Sequence, residues 1–138
     1  MIMNRLKPIF AALLLTVLLC GCSPFSLSKE FDKDALAAKS EEVLEVINTR
    51  NYEDILKQMK SELVVGMTAS DFEKAWEPAL TDSGSFIEIA KTHISGQETE
   101  EDSAVYAIVA LTCEYENDVR VFTMVFDTDM ELVGLYMK

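Results

Sequence analysis

The chain has 138 residues, 24 of them acidic against 12 basic and a single histidine, giving a formal charge of −12. A surface this acidic repels nucleic acid and anionic lipid headgroups, so a basic-patch binder is excluded. The length fits one domain with a single hydrophobic core.

The first seven residues carry Arg5 and Lys7 and no acidic side chain. Ile9 to Leu19 follows as eleven residues, apolar except for Thr16, and Gly21 supplies the small side chain that a signal peptidase needs. Even extended to Cys22 the run has fourteen residues, short of the roughly 20 that a membrane-spanning helix requires. The stretch Leu19-Cys20-Gly21-Cys22 resembles the lipobox of bacterial lipoproteins: an aliphatic residue, a tolerant position, a small residue, then the lipidated cysteine. The resemblance implies a signal peptide over residues 1–21, then a lipidated Cys22 and tether over 22–31. A plain secretory peptide and an uncleaved anchor are the competing readings.

One acyl chain gives marginal membrane binding, on the order of 10⁴ M⁻¹, whereas two give stable anchoring. A diacylglyceryl group on Cys22 would therefore hold the mature protein on the outer side of a bacterial membrane, with membrane lipid as its first partner. Arg5 and Lys7 are the only basic residues upstream, so residues 22–138 hold ten basic and 24 acidic side chains, a formal charge of −14. Cys113 is then alone in the mature domain, which leaves no intramolecular disulfide. Its apolar strand neighbours make it a small buried hydrophobe.

Three helices are expected in chain order. Residues 33–49 place Leu36, Ser40, Val43, Leu44 and Ile47 on one face at helical spacing. Residues 52–62 do the same with Ile55, Leu56 and Met59. In the third, Thr68 is the N-cap with Asp71 three residues on, and Phe72, Ala75, Trp76 and Ala79 form its apolar stripe. Pro78 is expected to end or kink this helix near Glu77.

Strands follow at 86–95, 104–116, 119–126 and 132–137, rich in Val, Ile, Phe, Tyr and Thr. The acidic patch Glu98, Glu100, Glu101 and Asp102 reads as a solvated loop between strands. Asn117-Asp118 reads as a two-residue hairpin loop, which sets Cys113 opposite Phe122, Leu111 opposite Met124 and Val109 opposite Phe126. A three-residue turn at Thr128–Met130 would pair Phe126 with Leu132 and put Leu132, Gly134 and Tyr136 on that core face. The opposite face then carries Val121, Val125, Val133, Leu135 and Met137. A water-washed sheet face should alternate to polar residues, and this one does not. These five residues are the candidate homodimer face. The alternative cover is the segment around Phe25 and Phe31.

The order of elements, the run Thr68-x-x-Asp71, Trp76, Gly84-x-Phe86, and the closing Phe126-Asp127-Thr128-Asp129 with Leu132-Val133-Gly134-Leu135 resemble a bacterial domain-of-unknown-function group within the nuclear-transport-factor-2-like superfamily. The resemblance covers roughly residues 34–138. It implies an α+β domain over 32–138, in which three N-terminal helices pack on a bent, mainly antiparallel four-stranded sheet, a cystatin-like cone. The family usually has Gly where Met130 stands.

That superfamily includes isomerases and dehydratases whose pocket lies between helices and sheet. Their chemistry needs a buried carboxylate or His base with donors for a developing oxyanion. The core face here is almost wholly apolar. His93 lies on a strand among polar neighbours and reads as a surface residue. Trp76, Tyr106 and Tyr136 are the pocket candidates. No Gly-rich phosphate loop, nucleophile elbow or clustered metal site is present in the sequence, so no catalytic residue, metal or cofactor is assigned. Asp127-x-Asp129-x-Glu131 begins like a calcium loop but lacks its Gly and distal Glu. The sequence thus favours a non-catalytic, lipid-tethered module that binds a protein or an apolar small ligand at the envelope. The alternative is a small-pocket enzyme of the isomerase or dehydratase kind.

Overall fold

The computed structural model describes residues 26–138, so the expected signal peptide, Cys22 and Phe25 lie outside the described residues. Helix α1 (Lys33–Thr49) starts where the Asp32 carboxylate accepts the Ala35 N–H at 2.9 Å, satisfying a donor that the first turn leaves unpaired. Its buried residues are Leu36, Ser40, Val43, Leu44 and Ile47, the face that the spacing predicts. Ser40 is accommodated because its hydroxyl donates to the Leu36 carbonyl at 2.7 Å. The helix ends at Arg50, in left-handed backbone with φ 58°.

Helix α2 (Tyr52–Gln58) is capped by Asn51 and is shorter than the periodicity suggests. Met59 leaves helical geometry (ψ 150°) to form a parallel bridge with Leu132, and the Lys60 N–H donates to the Leu132 carbonyl at 2.8 Å. A single 3₁₀ turn, Ser61–Leu63, then leads to α3 (Ala69–Ser83), capped by Thr68 as expected. Pro78 does not end α3, which runs on to Ser83. The extra turn buries Leu80, and Arg120 holds it by donating to the Ala79 carbonyl at 3.3 Å and the Ser83 hydroxyl at 2.7 Å. A guanidinium at that terminus also meets the negative end of the helix dipole. The buried stripe is consequently Phe72, Trp76, Leu80 and Ser83, with Ala75 exposed.

Strands β1 (Phe86–Glu98), β2 (Val105–Tyr115), β3 (Val119–Phe126) and β4 (Leu132–Met137) form one antiparallel sheet in that order. The result is an α+β fold, three helices on a four-stranded sheet. The β2–β3 loop is Glu116-Asn117, one residue earlier than the sequence reading, so Leu111 faces Phe122 and Val109 faces Met124. The helical end fixes this choice: the Glu116 and Asn117 N–H groups donate to the Ser85 and Ser83 carbonyls, both at 2.9 Å. Moving a two-residue loop by one position shifts the register by two, which leaves each side chain on its expected face. Val109, Leu111, Cys113, Phe122, Met124 and Phe126 are fully buried as one inner face.

β4 departs from its expected faces. Phe126 does pair with Leu132, but Val125 then pairs with Gly134 and Met124 with Leu135. One extra residue enters β4 at Val133, and a bulge exchanges the faces beyond it. Leu135 and Met137 therefore pack against the core, whereas Gly134 and Tyr136 lie on the outer face. The turn that feeds the bulge ends at Met130 with φ 61°, the left-handed position of a three-residue hairpin loop. Met130 occupies it without being Gly because its side chain packs against the core.

Phe31 also joins the core rather than the outer face. Residues 26–29 run against the start of the β1–β2 hairpin, where Gly96 pairs with Ala107. A Cβ on Gly96 would stand 2.4 Å from the Ser26 carbonyl oxygen and 2.9 Å from the Leu27 Cα. Only glycine permits so close a backbone approach.

Candidate functional site

The inner face leaves no room for a pocket at the centre of the fold. Its residues are at 0% exposure, and the buried polar side chains among the described residues are Ser40 and Ser83, both bonded to their own helix. Trp76 belongs to this packing: it is 9% exposed, with its ring 4.7 Å from Phe72 and 5.8 Å from Phe122. Of the three pocket candidates, Trp76 is thus a core residue. Cys113 is equally enclosed, and burial pushes its thiol up to about 11, away from thiolate chemistry.

Tyr106 and Tyr136 come together on the opposite side. They line an outer-face cleft of about 450 Å³ with Val125, Val133 and Gly134, closed at one rim by Lys60, Glu62 and Leu63. Tyr136 is 63% exposed. A Cβ on Gly134 would lie 3.2 Å from Cε2 of Tyr136, so the ring leans over the glycine, an arrangement that protects an otherwise bare stretch of strand. Val121 lies on the same face, opposite Thr112. Of the expected interface residues, Val121, Val125 and Val133 remain on the outer side, and Leu135 and Met137 do not. Gln97 and Thr99 complete the cleft, and nothing in their spacing could have marked them.

At the rim, Lys60 and Asp127 are already engaged. Lys60 pairs with Asp127 and Glu131, each at 3.3 Å, and these bonds raise its ammonium above its ordinary range, Asp127 first. The other Asp127 oxygen accepts the Asp129 and Glu131 N–H groups at 3.0 and 2.9 Å. The calcium-like spacing is therefore a self-bonded turn whose leading carboxylate holds backbone and Lys60.

A second polar cluster sits where α1, α2 and α3 meet. Glu77 accepts from the Tyr52 hydroxyl at 2.6 Å, Arg50 at 3.1 Å and Thr81 at 3.1 Å. Burial, then the Glu77 bond, moves the Tyr52 phenol well above its usual range, so it stays a neutral donor. Three donors on one carboxylate make a brace between helices rather than a free base. His93 is exposed on β1 opposite Ala110.

Among solved structures, the chain is similar to a protein from Ruminococcus gnavus ATCC 29149 determined by NMR, with a TM-score of 0.70 and 24% identity. That alignment covers 81% of this chain and 96% of the other, and at this identity it supports the fold alone. No curated protein matches the chain. A family model matches residues 40–135, from the middle of α1 to β4. The chain therefore belongs to the family described as Protein of unknown function (DUF3887).

Proposed function

We propose that this protein is a lipid-tethered extracytoplasmic module without catalytic function, which binds through the outer face of its sheet. The observation that carries the reading is the contrast between the two faces. The inner face is fully packed, while Tyr106, Val125, Val133 and Tyr136 surround an open cleft on the outer one. The Leu19-Cys20-Gly21-Cys22 pattern supports anchoring at the envelope through Cys22. The run of helices followed by a meander of strands is in keeping with the nuclear-transport-factor-2-like resemblance. A second copy of the chain is the simplest partner, because Val121, Val125 and Val133 continue the apolar surface beyond the cleft. An isomerase- or dehydratase-like reading lacks support, since its pocket would lie where the inner-face side chains pack.

Two measurements test the proposal. Cys22→Ala should abolish incorporation of labelled palmitate and release or stall the precursor; retained labelling removes the tether. Sedimentation of the detergent-solubilised protein should report a dimer that Val125→Glu converts to monomer. A wild-type monomer at high micromolar concentration removes self-association and leaves the cleft to another ligand.

A further inference from the structure

From the docking of residues 26–31 we infer that the tether is an orienting strap, which presents the β1–β2 hairpin end of the sheet to the bilayer and turns the β2–β3 end away from it. The inference rests on the lipid tether at Cys22. Residues 26–29 do not leave the domain as a free spacer. They lie along Gln97 to Glu100, with the Ser26–Leu27 backbone pressed onto Gly96 and Leu27 half-buried against the core. Phe31 fixes the other end of the strap, buried at the start of α1, with its N–H bonded to the Ser28 carbonyl.

Reach then decides the geometry. Cys22 and Ser26 are four residue steps apart, which at full extension is about 14 Å. The β2 strand from Val105 to Tyr115 is about 33 Å long. A lipid on Cys22 therefore keeps the hairpin end near the headgroups, and the Glu116-Asn117 turn stands beyond that reach. Gln97 and Thr99 line both the strap groove and the outer-face cleft, so the Tyr106–Tyr136 cleft opens at the bilayer end. Beside it, Glu98 closes β1 and Glu100, Glu101 and Asp102 follow in the loop, all exposed. Like-charge repulsion makes this end stand off an anionic surface rather than sink into it.

The test places one fluorophore on the lipidated protein, at Glu101→Cys or at Val119→Cys. Buried Cys113 and acylated Cys22 stay unlabelled. The carrier is a phosphatidylcholine vesicle bearing a headgroup-attached quencher. The position 101 probe should be quenched about three-fold more than the position 119 probe, given the ~33 Å between the two strand ends. Inserting a flexible Gly/Ser segment of about ten residues between Ser23 and Pro24 should abolish that difference while leaving strap and fold untouched. Gly96→Val should abolish it by dislodging the strap. Equal quenching of the two wild-type probes overturns the orientation, as does a difference that survives the insertion. Failure of the wild-type protein to take up labelled fatty acid overturns the tether itself, so the two failures are distinguishable.

Discussion

Trp76 and Tyr115 meet the same core and answer to different forces. Trp76 packs between Phe72 and Phe122, so Trp76→Ala leaves a cavity and should cost about 3–5 kcal/mol in urea unfolding. A loss below about 1 kcal/mol would mean the indole is dispensable to the core. Tyr115 is 6% exposed, donates to Asn48 Oδ1 at 2.6 Å, and has its phenol raised by burial from 10.0 to about 12. Between those two values the folded protein keeps a proton that the unfolded chain has released, so stability must fall as pH rises. Tyr115→Phe should flatten that alkaline slope and cost about 1 kcal/mol at neutral pH for the lost hydrogen bond. Thermal melts from neutral pH upward compare the two proteins. An unaltered slope in the variant assigns the effect to other groups, Tyr52 foremost.

At the scale of elements, period and capping made α1 and the start of α3 legible, down to the five buried residues of α1. Three departures from the local pattern share one cause: a contact from another element overrides a local rule. Met59 leaves the helix for Leu132, the Ser83 and Ser85 carbonyls place the β2–β3 turn, and Arg120 sustains α3 beyond Pro78. Pro78→Ala, which restores a missing backbone donor, should raise stability by about 1–3 kcal/mol. The β4 bulge matters most for the site, because a single inserted residue exchanges Leu135 with Tyr136 between faces. The signal was the non-glycine Met130 in a three-residue turn, which forecasts a bulge only once its left-handed φ is known. Leu135→Lys should therefore destabilise by about 1–3 kcal/mol as a charge brought against the core, and Tyr136→Lys by less than about 1 kcal/mol. The reverse order in matched melts would restore the unbulged register.

For the whole molecule, charge sets a mean repulsion that the core must overcome. Residues 22–138 carry ten basic and 24 acidic side chains, and several of the basic ones are already paired: Arg50 with Glu77, Lys60 with Asp127 and Glu131, Arg120 with Asp118. Salt acts on both terms, weakening these pairs and weakening the repulsion among the unpaired carboxylates. The pairs are close, between 3.0 and 3.3 Å, and exposed or half-exposed pairs contribute only about 0–1 kcal/mol each. The repulsion is spread over many longer separations, where a Debye length of about 10 Å at 0.1 M already screens most of it. Repulsion is the larger salt-sensitive quantity, so raising sodium chloride from about 10 mM to about 0.1 M, where the Debye length shrinks from ~30 Å to ~10 Å, should stabilise the domain, on the order of 1 kcal/mol. The chloride salts of sodium and potassium should act alike, which separates screening from specific ion binding. A melting temperature that falls over this range would show instead that the Lys60 and Arg50 pairs outweigh the acidic surface, and the Lys60→Met variant would then lose the salt response.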